Sequence, residues 1–176
     1  MPSPVGHALA GYAVGALIAG KPTLGTGARL WPPPPLMIGW AALGCAADID
    51  FLFGAHSMYT HSVGAALIVA LALAAFRVPL RLVLAGAAAY VSHPLLDALG
   101  YDTNPPLGIM AFWPFSSDYY ISPVALLTPV SRRFNWEFFW SHNLKVVTSE
   151  ILIFGIAALL VYRFRSSRSG VEALAA

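Results

Sequence analysis

Apolar residues gather into five runs separated by short polar or proline-rich links. The runs cover residues 4–20, 36–47, 62–76, 82–99 and 146–165. The first, PVGHALAGYAVGALIAG, is rich in small residues, as at close helix–helix contacts in membranes. Pro4 suits a first helical turn. The run is slightly short of the ~20 residues a full crossing needs. The second run continues through Asp48-Ile49-Asp50 into Phe51-Leu52-Phe53 and with them becomes long enough to cross. The fifth is the most conventional spanning segment.

The links differ in character. Residues 21–35 carry Lys21, Arg29 and four consecutive prolines, Pro32 to Pro35, which predict an extended connector. Residues 54–61 are polar and hold His56 and His61. Arg77, Pro79 and Arg81 close the third run. Residues 100–145 hold most of the aromatics and many prolines, with Phe112 to Tyr120 expected as an ordered loop at the membrane surface, where Trp and Tyr concentrate. The tail from Ser166 is polar and expected to be flexible. The pattern therefore predicts an all-α fold: a polytopic membrane bundle of about five (four to five) helices, one domain over 1–165, with an interfacial loop at 100–145 and a tail at 166–176.

Composition strengthens this picture. Of 176 residues, 58% are hydrophobic and only 10% charged, with a mean hydropathy of +0.69. A soluble domain carries about 25% charged residues, so this chain lacks the charge to cover a water-facing surface. The net charge of +2 and the absence of a basic stripe interleaved with aromatics argue against nucleic acid. The lone Cys45 excludes an internal disulfide and any CxxC metal knuckle. A cleavable signal peptide is not expected, because a positive leading region is missing and His7 interrupts the first run early.

The candidate chemistry sits at the run ends. In Ser92-His93-Pro94-Leu95-Leu96-Asp97 an imidazole and a carboxylate stand four residues apart, on one helix face. His7 starts the first run, Asp48 and Asp50 end the second, and His61 starts the third. Threading the runs in alternating directions brings all six to one side of the membrane. Of the ten basic residues, seven (Lys21, Arg29, Arg77, Arg81, Arg163, Arg165, Arg168) fall on the other side, against Arg132, Arg133 and Lys145. That asymmetry makes the ligand side extracytoplasmic and the tail cytoplasmic. Runs one and two are short enough to be re-entrant; losing both as a pair preserves the shared side.

His93 and Asp97 alone equally fit a hydrogen-bonded tie between helices. Six such groups converging favour a divalent ion, and a His/carboxylate set suits zinc. Two ions fit only if carboxylates bridge. Of Asp48 and Asp50, one ligates or bridges while the other orients a histidine or caps a helix. His56 is expected beside the ligands, and His142 at the interface. Glu150 either faces the site or pairs with Arg132, Arg133 or Lys145. The two arginines either hold a phosphate or anchor lipid headgroups. An ion with one open position lowers the pKa of bound water to about 7, and a nearby carboxylate can take the proton. The reaction class is then hydrolysis. GxSxG, HExxH and a Gly-rich phosphate loop are all absent from the sequence.

Pro4-Val5-Gly6-His7-Ala8-Leu9-Ala10-Gly11, Asp48-Ile49-Asp50, His56, Thr60-His61-Ser62, His93-Pro94-Leu95-Leu96-Asp97 and Trp113-Pro114-Phe115-Ser116 occur in this order between residue 4 and about 118. Together they resemble the LexA-regulated, membrane-bound, predicted metal-dependent hydrolases of bacteria, the YdjM-like family. That family is distantly similar to zinc-dependent phospholipase C and single-strand nucleases, helical enzymes with His and Asp ligands. The resemblance implies His7, Asp50, His61, His93 and Asp97 as metal ligands, with Asp48 and His56 beside them as catalytic candidates. It also implies one or two divalent ions, Zn2+ foremost, and a bacterial inner-membrane location. Two positions depart from the family pattern: Gly6 stands where Thr is usual, and Ser57 where an Arg commonly follows, which removes a possible phosphate contact.

The expected function is a membrane-bound metal-dependent hydrolase of phosphoester bonds in a lipid or lipid-linked substrate. The rival is a non-catalytic membrane protein whose His/Asp site staples helix ends. A metal transporter ranks last, because conduction needs ionisable groups through the bilayer depth and here they cluster at one end. An open, accessible position favours the enzyme; a closed tetrahedral set favours the staple.

Overall fold

The computed structural model describes residues 1–20, 32–53, 56–102 and 105–174. The expected Lys21 and Arg29 connector lies outside these, apart from its prolines from Pro32 onward. Helix α1 spans Pro4–Ala19, α2 Pro34–Cys45, α3 Val63–Ala75, α4 Leu80–Ala98, α5 Phe139–Glu150 and α6 Ile156–Leu174. A 3-10 segment, Ala46–Phe53, prolongs α2, and a π turn, Ile151–Gly155, joins α5 to α6, so that five helical rods result. Among the described residues β pairing is confined to two isolated bridges, Gly100 with Leu127 and Ile109 with Tyr120. The fold is all-helical, as expected.

Local chemistry sets the helix ends. Ser3 caps α1, its side chain accepting from the Gly6 N–H, with Pro4 at the first position. Ser62 caps α3 in the same way through the Ala65 N–H. The remaining first-turn donors of α3, Val63 and Gly64, reach the carbonyls of Ala111 and Trp113 at 2.9 and 3.0 Å. The 100–138 stretch thereby straps the helix start beside His61. Two expectations need correction. Pro34 and Pro35 belong to the first turn of α2, where a missing N–H costs nothing because those donors have no intrahelical partner. And the loop expected to reach residue 145 ends earlier, because α5 begins at Phe139.

The packing is inverted relative to a water-soluble bundle. The buried core is built mainly of small residues, Ala13, Ala16, Ala19, Ala85, Ala89 and Ala158, around Tyr12 and Trp40. Large aliphatics point outward, among them Leu67, Leu71, Leu84, Leu152, Ile156 and Leu160. That is the arrangement expected where the surroundings are hydrocarbon and close backbone contact drives association. α1 lies at the centre, packed chiefly on α2 and α4. Its approach to α2 is extreme: a Cβ on Gly11 would stand 2.6 Å from the Gly44 Cα, and one on Gly44 would stand 2.4 Å from the His7 carbonyl.

Two helical stretches are long and apolar enough to cross a membrane, Pro34–Phe53 with 20 residues and Phe139–Arg165 with 27. α1 and α3 are shorter, at 16 and 13 residues. At 1.5 Å per residue they span about 24 and 20 Å, against a hydrocarbon core of about 30 Å. α4 has 19 residues but carries Arg81, His93 and Asp97.

Candidate metal centre

Four elements deliver the six expected groups to one place. The first turns of α1 supply His7, the 3-10 extension of α2 supplies Asp48 and Asp50, the turn Tyr59–His61 supplies His61, and the last turns of α4 supply His93 and Asp97. His7, His61, His93 and Asp97 are at most 1% exposed. Asp97 is the hub. Its Oδ2 lies 3.2 Å from His61 Nε2 and 3.3 Å from His93 Nε2, while its Oδ1 lies 3.3 Å from His7 Nε2. Asp48 Oδ1 stands 3.5 Å from His93 Nε2 and 3.9 Å from His61 Nε2. The His7 and His93 rings stack at 3.7 Å.

These spacings fit a divalent ion. Metal bonds of about 2.0–2.1 Å in a tetrahedron put neighbouring ligand atoms about 3.3–3.4 Å apart, which is the spacing found around Asp97. The cluster also holds buried polar atoms without hydrogen-bond partners: His61 Nε2, His93 Nε2, both Asp97 oxygens and both Asp50 oxygens among them. Buried donors and acceptors are nearly always satisfied, so a concentration of orphans on two imidazoles and two carboxylates points to an ion that would satisfy them. Buried His/Asp groups able to hold a metal therefore exist in this protein: His7 with His93 and Asp97, Asp48 with His61 and His93, and Asp50 with His56 and His61.

The ring orientations are set from behind. His93 Nδ1 donates to the Gly44 carbonyl at 2.7 Å, which orients the ring so that Nε2 is the nitrogen presented to the cluster. His61 Nδ1 faces Asp50 Oδ2 at 3.2 Å and the Thr60 hydroxyl at 3.1 Å. Its own Nε2 faces Asp97 and Asp48. Asp50 thus sits on the opposite side of the His61 ring from the Asp97 hub, and its other oxygen lies 3.5 Å from His56 Nδ1. Burial pushes the His61 imidazole down, but the Asp50 and Asp97 carboxylates outweigh it, and its pKa stands above the ordinary value.

One edge of the cluster is open. The side chains of Asp48 and His56 are 28% and 20% exposed, and His56 lines a cavity of about 800 Å3. The His56 ring stacks on Phe51 at 4.0 Å. His142 takes no part: its Nε2 donates to the Pro129 carbonyl at 2.9 Å. Glu150 is buried away from the cluster, accepting from the Ser3 N–H at 2.9 Å and from the Ser3 hydroxyl.

Sequence reasoning missed three contributors. The Gly44 carbonyl orients His93 through a backbone atom that any residue possesses, so no side-chain signal marked it. Glu150 holds Ser3, and through Ser3 the helix start that carries His7, across 147 positions. Thr60 supports His61 from the adjacent position; its hydroxyl was visible only as part of Thr60-His61-Ser62.

No match was found among curated proteins or among solved structures. The profile of the YdjM inner membrane protein family, by contrast, matches residues 1–175, well past Asp118 where the recognisable motifs end. With two helices long and apolar enough to cross a bilayer and a buried His/Asp cluster near the end of one of them, the chain belongs to the YdjM inner membrane protein family.

Proposed function

We propose that this protein is a membrane-bound, metal-dependent hydrolase acting on phosphoester bonds of a lipid or lipid-linked substrate. The observation that carries the reading is the open edge: a buried ligand set whose accessible side is formed by a carboxylate and an imidazole beside a cavity. A purely structural ion needs no such opening.

In this reading His7, His61, His93 and Asp97 hold one or two ions, His7 and His61 falling in separate ligand sets that share His93, with Zn2+ the best fit to the donor set. The bound ion supplies Lewis acidity and an activated water. Asp48, at the exposed edge 3.5 Å from His93 Nε2, accepts the proton of the attacking water. His56, with its Nδ1 toward Asp50, faces the cavity through Nε2, where Arg132 and Met1 meet it. Asp50 takes the outer position that fixes both His61 and His56, which differs from the ligand role implied by resemblance. The site lies on the extracytoplasmic side of a multi-pass chain, supported by the seven-to-three distribution of basic residues.

The structural staple retains one specific support. Asp48 Oδ1 lies 3.5 Å from His93 Nε2 and 3.9 Å from His61 Nε2, and these three groups by themselves can hold an ion. Asp48→Asn separates the two readings. The hydrolase requires metal content near wild type with phosphodiesterase activity on lipid substrates abolished. Loss of the metal together with a lower melting temperature, and no activity in the wild type, would establish the staple.

A further inference from the structure

The cavity beside His56 carries an unused cation at its mouth. The Arg132 guanidinium lies 4.5 Å over the Phe51 ring, and its Nη2 donates to His56 Nε2 at 3.3 Å. The Met1 thioether abuts the same imidazole nitrogen. A guanidinium has five N–H donors in a planar fork, so one face on Phe51 and one bond to His56 leave most of them uncommitted on an exposed side chain. Among the described residues no carboxylate lies within ion-pair distance of Arg132. Asp102, on the same cavity wall, has its Oδ2 taken by the Gly108 N–H at 3.0 Å. Arg133 lines the wall as a second cation.

We propose that this cavity is an anion subsite for the phosphate group of a phosphoester, with Arg132 as the recognising residue. The inference rests on the reading of the adjoining cluster as a phosphoester hydrolase, and it names the substrate group which that site holds. Phe51, in the same 3-10 segment as Asp48 and Asp50, clamps the guanidinium by a cation–π contact. The fork is therefore oriented by the segment that carries the catalytic carboxylate. A planar fork matches two phosphate oxygens. The volume of about 800 Å3 exceeds what a bare phosphate fills and falls in the range of small-molecule sites, leaving room for an esterified alcohol.

The test uses full-length protein in detergent, stripped of metal with EDTA, titrated calorimetrically with inorganic phosphate and with glycerol 3-phosphate. Saturable binding of one equivalent is expected. Arg132→Gln weakens it by about tenfold or more, the effect of losing charge-assisted hydrogen bonds. Arg132→Lys keeps the charge without the fork and falls between the two. Lys145→Gln, a cation outside the cavity, binds as wild type. No saturable binding by the wild type, or equal binding by a folded Arg132→Gln protein, overturns the proposal. Repeating the titration in phosphatidylcholine and phosphatidylglycerol nanodiscs distinguishes the source: a phosphate isotherm lost only in phosphatidylglycerol identifies the lipid headgroup as occupant, and one retained in both identifies a soluble phosphoester. The isotherm is read without metal and without turnover. Failure of the hydrolase reading would therefore appear as binding without turnover, and failure of this one as absence of binding.

Discussion

Gly44→Ala tests whether the candidate metal centre depends on the close backbone contact between α1 and α2. The added Cβ would stand 2.4 Å from the His7 carbonyl oxygen and 2.9 Å from the Gly11 Cα. Both obstacles are backbone, so no side chain can swing aside. Restoring an ordinary contact requires α1 and α2 to part by about 1 Å or more, and such overpacking costs roughly 1–3 kcal/mol. For a chain of this length that is about 2–4 °C of melting temperature per kcal/mol. The second consequence is specific to the site. Residue 44 also supplies the carbonyl that accepts from His93 Nδ1 at 2.7 Å, and a displacement of about 1 Å takes that bond beyond hydrogen-bonding range. Loss of such an outer contact costs about 10–100-fold in metal affinity. Gly39→Ala is the matched control: it lies on the same helix, a Cβ there meets nothing within 4 Å, and the change is neutral or stabilising by up to about 1 kcal/mol through helix propensity. The assay is zinc competition against a chromophoric chelator, with thermal unfolding in the same detergent. Gly44→Ala protein with wild-type zinc affinity and melting temperature would refute both the packing argument and the carbonyl's role.

His93→Ala and Asp97→Ala each remove a group from the centre of the cluster, and metal content by mass spectrometry falls to background in both; unchanged content would remove the site altogether. Glu150→Ala leaves the buried Ser3 N–H without its acceptor, costing about 1–3 kcal/mol, whereas Glu150→Gln retains an acceptor and most of the stability; thermal unfolding of the pair checks this. His61 has a raised pKa in the metal-free protein. The stability its protonation confers is full below the unfolded-state value and is lost as pH rises through the folded one. Metal must displace that proton, so the zinc-induced gain in melting temperature grows with pH across the His61 titration. A gain independent of pH would show that His61 is not a ligand.

The helical bundle and its convergence point were legible because both rest on side chains. His93 and Asp97 are one helical turn apart, and their run, like those of His7, Asp48 and His61, carries its polar group at an end; alternating directions then leave few places for them to meet. What escaped were features made of backbone or of distance. Gly44 contributes a carbonyl and a missing Cβ, neither of which has a chemical signature in a run of small residues. The start of α5 was hidden because Ser141, His142, Asn143 and Lys145 interrupt the apolar pattern, although all four lie within the helix. Pro34 and Pro35 read as breakers because proline is one in a helix interior; only the position of the first turn reverses that. Asp48 and Asp50 approach different nitrogens of the His61 ring, Nε2 and Nδ1, which two aspartates two positions apart on a short 3-10 segment cannot disclose by spacing.

The contact between Glu150 and Ser3 has a consequence for biosynthesis. The helix that carries His7 is synthesised early, yet the carboxylate anchoring its N-cap residue emerges from the ribosome 147 positions later. Until then the start of that helix lacks its buried anchor, although α2 and α4 already pack against it. Chains truncated before Glu150 are therefore expected to bind zinc less tightly than the full chain, and metal analysis of the two checks this.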